Sequence, residues 1–75
     1  MKPAEYLDAA KARLNLSSDY QLAKALDVPN GNIAGIRHGA RFIPLDMAYR
    51  IAITLEMDPA QVVADLEEQR EKNPK

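Results

Sequence analysis

The sequence predicts an all-α single domain built from five helices, and three observations predict it. Apolar residues recur at helical spacing, and Val, Ile and Thr nowhere alternate with polar residues over a strand-length run. The prolines, at positions 3, 29, 44, 59 and 74, fall at or near the boundaries that this spacing suggests. The chain has 75 residues, of which 47% are hydrophobic and 28% charged, which is globular, not disordered, and enough for one small core.

The first helix is expected from Pro3 to Leu14. Pro3 suits a first helical position, where its missing N–H costs nothing, and Leu7, Ala10 and Leu14 share a face. The second starts at Ser18, because Ser18-Asp19-Tyr20-Gln21 fits a capping box with Ser18 as N-cap and Gln21 at N3. Leu22, Ala25 and Leu26 form its inner face, and Ala23 lets another helix pass closely. The third runs from Asn30 to His38, with Ile33 and Ile36 inward and Gly39 as the left-handed residue that closes it. The fourth follows Pro44 and ends near Glu56. Its apolar positions Leu45, Met47, Ala48, Tyr49, Ile51, Ala52, Ile53 and Leu55 exceed one core-facing stripe. The fifth opens on Asp58-Pro59-Ala60-Gln61, with Asp58 as N-cap and Pro59 at N1, and its apolar face is Val62, Val63 and Leu66. Beyond Leu66 the chain is expected to fray, giving a domain over residues 1–70 and a loose tail over 71–75.

Several classes are excluded by composition. Without Cys there is no disulfide framework and no thiolate metal site, and a single His makes a His-rich site impossible. No apolar run reaches the roughly 18 residues of a membrane span. Met1-Lys2-Pro3-Ala4-Glu5 lacks the apolar stretch of a signal peptide, so a cytoplasmic location is expected. No cofactor, metal, membrane contact or small-molecule ligand is expected. An enzyme is a poor fit, having one His, no catalytic motif and little chain to enclose a pocket. The net charge of -1 hides an asymmetry: residues 1–50 carry seven Lys/Arg and five Asp/Glu, whereas residues 51–75 carry three and six. A phosphate-binding face fits the first two-thirds, with the acidic tail turned away.

The segment from Gln21 to Gly39, QLAKALDVPNGNIAGIRHG, resembles the helix-turn-helix of Cro/CI-type regulators, the lambda-repressor-like, XRE-type family. Leu22-Ala23, Leu26 and Val28 around the turn, Ile33 and Ile36, then Gly39, follow the family order. Ala40-Arg41-Phe42-Ile43-Pro44 looks like its basic loop, and Ile51-Ala52, Leu55 and Asp58-Pro59 like its fourth helix and the start of its fifth. The likeness covers about residues 4–66, and the small size is also similar to that of phage repressors. Asp27 stands where the family usually has Gly, at a left-handed turn position that Asp tolerates better than most residues. Asp19 stands where a carboxylate would repel phosphate unless it points away and serves the helix dipole.

The resemblance implies a compact lambda-repressor-like fold whose third helix enters the major groove of double-stranded DNA while the second braces it. Asn30, Gly31, Ala34 and Gly35 then sit where base edges are read, and Arg37 reaches a guanine or a phosphate. Ser18, at the positive end of the second helix, Asn32 and Arg41 sit where phosphates are held. Blander roles stand beside these: Asn30 and Asn32 as capping residues, Arg37 and Arg41 as solvated charges, His38 as an exposed residue at a helix end; Tyr20 is open between packing and a phosphate contact. Ile53, Met57, Val62, Val63 and Leu66 are either core or a twofold homodimer interface. The implied function is a transcriptional regulator, a repressor of phage type, binding a palindromic operator as a homodimer. The alternative is a protein-interaction module, an antitoxin or anti-repressor, that contacts its partner through the acidic C-terminal third.

Overall fold

The computed structural model describes the backbone of residues 1–72 and the side chains of residues 1–70. Among these residues there are five helices and no strand: α1 (Pro3–Arg13), α2 (Asp19–Leu26), α3 (Asn30–Arg37), α4 (Leu45–Leu55) and α5 (Pro59–Lys72). No described helix is long and apolar enough to cross a membrane. α1 packs against α2, α3 and α4; α2 packs on α3 and touches α4; α4 packs on α5.

The starts follow local chemistry. Ser18 Oγ accepts the N–H of Gln21 at 3.2 Å, the N-cap bond expected. The return half of the capping box shifts by one residue, because Gln21 Oε1 accepts the N–H of Ser17, at 2.9 Å, instead of that of Ser18. Asp58 Oδ1 accepts the N–H of Ala60 at 3.0 Å and so opens α5.

The ends share one device. α1, α2, α3 and α4 each close with a residue at positive φ: Asn15, Asp27, Gly39 and Glu56. After each of them the next N–H returns to the carbonyl five residues back, as Val28 does to Ala23 at 2.9 Å and Ala40 to Gly35 at 2.9 Å. Gly39 at φ 80 and Asp27 at φ 60 match the expectation; Asn15 and Glu56 carry the same conformation without a sequence signal strong enough to announce it.

The core is apolar but for the Tyr6 hydroxyl: no other polar side chain is buried among the described residues. Leu7, Leu22, Leu26, Ile33, Met47, Ile51 and Val62 are fully buried, so every helix contributes, and each such side chain stabilises the fold by about 1.5–3 kcal/mol. Two expected positions differ. Ala25 is exposed, whereas Ala23 is buried, as expected of a residue at which another helix passes closely. Leu14 is exposed, since it falls beyond the last residue of α1, and Tyr6 is buried beside Leu7 and Ala10. The Tyr6 hydroxyl donates to Asp65 Oδ2 at 2.6 Å and ties α1 to α5. Burial, then this bond, pushes the Tyr6 hydroxyl up to about 12. The same bond, with the amino group of Met1 at 3.1 Å, holds the Asp65 carboxyl below the usual range.

α5 does not fray beyond Leu66; it continues to Lys72. Nothing between Pro59 and Pro74 breaks a helix, and the last turns are anchored. Gln69 donates to the Met1 carbonyl, and the Arg70 guanidinium lies over the Phe42 ring, 4.8 Å from its centroid. Of the expected loose tail, residues 71 and 72 are thus helical, and residues 73–75 lie outside the described residues.

Candidate nucleic-acid interface

α3 owes its place to two buried residues, Ile33 and Ile36, which seat it on α2 and α1. The turn between α2 and α3 is Asp27-Val28-Pro29, with Val28 packed against the core. Pro29 precedes the first helical residue and offers no side-chain cap, so α3 opens on an exposed Asn30. The outward surface of α3 is Asn30, Gly31 and Ala34, all exposed, with Asn32 and Gly35 half-buried at its edge. From Val28 to Leu45 the chain holds no carboxylate, in a sequence that has 11.

Arg37 departs from the expectation of a free contact. Its Nε donates to Asp19 Oδ2 at 2.7 Å, and its Nη2 to Asp8 Oδ1 at 2.7 Å and to Asp19 Oδ1 at 3.0 Å. Lys11 Nζ adds a bond to Asp19 Oδ1 at 3.1 Å. The guanidinium is therefore committed to a clasp joining α1, α2 and α3. The physical reason is proximity: Asp19 at the first turn of α2 and Arg37 at the last turn of α3 meet where the two helices pack. The clasp also removes the repulsion expected of Asp19. Its charge is spent on Arg37 and Lys11, and the Arg37 bond, against partial burial, holds its carboxyl below the usual range.

Gly31 and Gly35 prove unlike. A Cβ on Gly31 would meet nothing within 4 Å, so this position is open. A Cβ on Gly35 would lie 2.8 Å from Cδ of Arg41, so Gly35 is overlaid by the Arg41 stem and is not an open face. Arg41 itself is exposed and without an ion pair among the described residues. With Asn32 and Arg70 it lines an open depression beside α3. The sequence does not single out Arg70, which is paired with Glu67 at 4.0 Å. The signal available for it is the unbroken helical run from Pro59 to Pro74.

The other expected positions separate. Ser18 is half-buried as a cap, and His38 is exposed at the end of α3. Tyr20 is exposed, with Lys24 Nζ 5.4 Å from its ring centroid. Val62 is fully buried and belongs to the core, so it cannot line a dimer interface; Met57, Val63 and Leu66 are partly buried against the same core. Of that set only Ile53 is well exposed, and its neighbours on the surface of α4 are Leu45 and Tyr49.

Compared with known proteins, the chain matches no family model, no curated protein and no solved structure.

Proposed function

We propose that this chain is a sequence-specific double-stranded DNA-binding regulator of the lambda-repressor-like, helix-turn-helix kind, acting as a repressor on a palindromic operator as a homodimer. The observation that carries the reading is the surface of α3. It carries no carboxylate of its own, is poor in side-chain bulk, is open at Asn30, Gly31 and Ala34, and is flanked by the guanidinium groups of Arg41 and Arg70. A helix on such terms can approach base edges closely. Asn30 can then pair with adenine and the Ala34 methyl can touch thymine, while Asn32, Arg41 and Arg70 take phosphates. Arg37 supports the reading as a brace, not as a reader.

The test is selection of bound duplexes from a random DNA pool at several salt concentrations. Enrichment of one palindromic sequence, with affinity falling log-linearly in salt, is the expected result. Weak binding without enrichment at any salt overturns the proposal.

Gly31 gives a second check. Gly31→Ala fills open space inside a helix and is expected to raise stability by about 0.5–1 kcal/mol. The added methyl holds the helix away from its partner, so selected DNA should bind less tightly. Thermal melts and titrations of one variant read both effects, and tighter DNA binding would sink the close-approach idea.

A further inference from the structure

α4 is apolar over far more of its circumference than its own core uses. Met47, Ala48, Ile51 and Ala52 face inward and are buried. Leu45, Tyr49 and Ile53, one turn apart, form a second line that is 69%, 54% and 57% exposed. They line a shallow open trough edged by Asp46 and Arg50. Such a line spans about 12 Å of helix, and a solvated helix keeps only the core-facing stripe apolar.

The charges beside the line indicate what covers it. Asp46 and Arg50 each follow a residue of the line by one position, so they sit on the same flank, one turn apart and of opposite sign. Neither makes an ion pair among the described residues: Asp46 Oδ1 accepts only the N–H of Met47 at 2.9 Å, and Arg50 is exposed. When two copies of this helix meet antiparallel about a twofold axis near its middle, like flank faces like flank. With the axis at Tyr49, Leu45 of each copy meets Ile53 of the other, and Asp46 lies about 3 Å along the helix from Arg50 of the other copy, within reach of that long side chain. The pattern is thus complementary to itself, which a twofold interface requires.

We propose that the α4 line Leu45, Tyr49 and Ile53 is an isologous dimer interface whose occupant is a second copy of this chain, with reciprocal Asp46–Arg50 ion pairs at its edge. This deepens the homodimer part of the proposed function and rests on that reading for its biological role, while its chemistry is independent of DNA. The line is short, so the dimer belongs to the small, weak class and dissociates at about micromolar concentrations.

Sedimentation equilibrium of the full chain without DNA, from about 1 μM to 1 mM, is the test. The expected result is a mass rising from 8.3 kDa toward twice that value. Tyr49→Glu should hold the mass at that of one chain throughout, with an unchanged helical circular-dichroism spectrum because the residue is exposed. Asp46→Arg and Arg50→Asp should each weaken association at least tenfold, and the two together should restore it. A wild-type chain that stays monomeric at 1 mM overturns the interface, as does a dimer that survives Tyr49→Glu or a double exchange that fails to restore pairing. A chain that dimerises in this way yet selects no DNA sequence sinks the DNA reading alone. One that selects a DNA sequence yet stays monomeric at 1 mM sinks the interface and the homodimer part of the proposed function, and leaves the DNA-binding part standing.

Discussion

Arg37→Ala lowers the melting temperature of the domain by about 5–15 °C. The side chain is only 24% exposed and its guanidinium bonds two carboxylates from two other helices. Hydrogen bonds to charged groups contribute about 1.5–3 kcal/mol, discounted here to about 1–2 kcal/mol for partial solvation. In a domain of this size each kcal/mol moves the midpoint by about 4–8 °C. The effect has a pH signature. Asp19 is held below its ordinary value of 3.8, chiefly by the Arg37 bond. A depressed carboxyl contributes stability that is fully present above its unfolded value and is lost as pH falls through the folded one. The gap between wild type and variant should therefore narrow below about pH 4. Melts followed by circular dichroism from pH 2 to 7 measure it, and a gap that stays constant to pH 2 would refute the clasp as its source. Arg37→Lys should recover only part of the loss, since an ammonium cannot fork between Asp8 and Asp19. On the proposed function, Arg37→Ala retains its DNA sequence preference well below its midpoint, because this guanidinium reads no base.

The second large effect concerns the cations flanking α3. On the proposed function, Arg41→Ala with Arg70→Ala weakens DNA binding about tenfold or more at physiological salt. It also reduces the slope of log affinity against log salt by about 2, one for each phosphate no longer neutralised. The weakening should be the same for every DNA sequence, since groups that hold phosphates position the protein and do not specify a base. Arg13→Ala is the control: its guanidinium is paired with Glu56 at 2.5 Å, so the slope should hold. Titrations at four or five salt concentrations separate the outcomes. An unchanged slope in the double variant would remove the depression beside α3 from the binding surface.

Much of the architecture is legible in the sequence because local signals agree with one another. Pro3, Ser18, Pro44 and Asp58-Pro59 mark starts through backbone chemistry confined to one turn, and Asp27 and Gly39 mark ends in the same way. Ile33 and Ile36 fit only an inward face. What stays hidden depends on tertiary neighbours. Ala25 reads as inward beside Leu22 and Leu26, and only the packing of the other helices leaves it exposed. Arg37 looks like any exposed helical cation until packing brings Asp8, 29 residues earlier, to 2.7 Å. Val62 and Ile53 are both β-branched helix residues, yet one is sealed and the other wet. The outer end of α5 reads as loose in the sequence because its support comes from Met1 and Phe42, at the far end and middle of the chain.

On the proposed function, the stem of Arg41 lying across Gly35 limits how much of a duplex one copy reads. It fences off the later turn of α3 and leaves the first turn and Ala34 as the contact edge, room for about two or three base pairs at roughly 3.4 Å each. At about 1–3 kcal/mol of discrimination per base pair, that vocabulary is too small to single out one locus among the competing sites of a genome. Selectivity must then come from counting two short words at a set spacing, and a weakly associating chain would make occupancy rise steeply with its own cellular concentration.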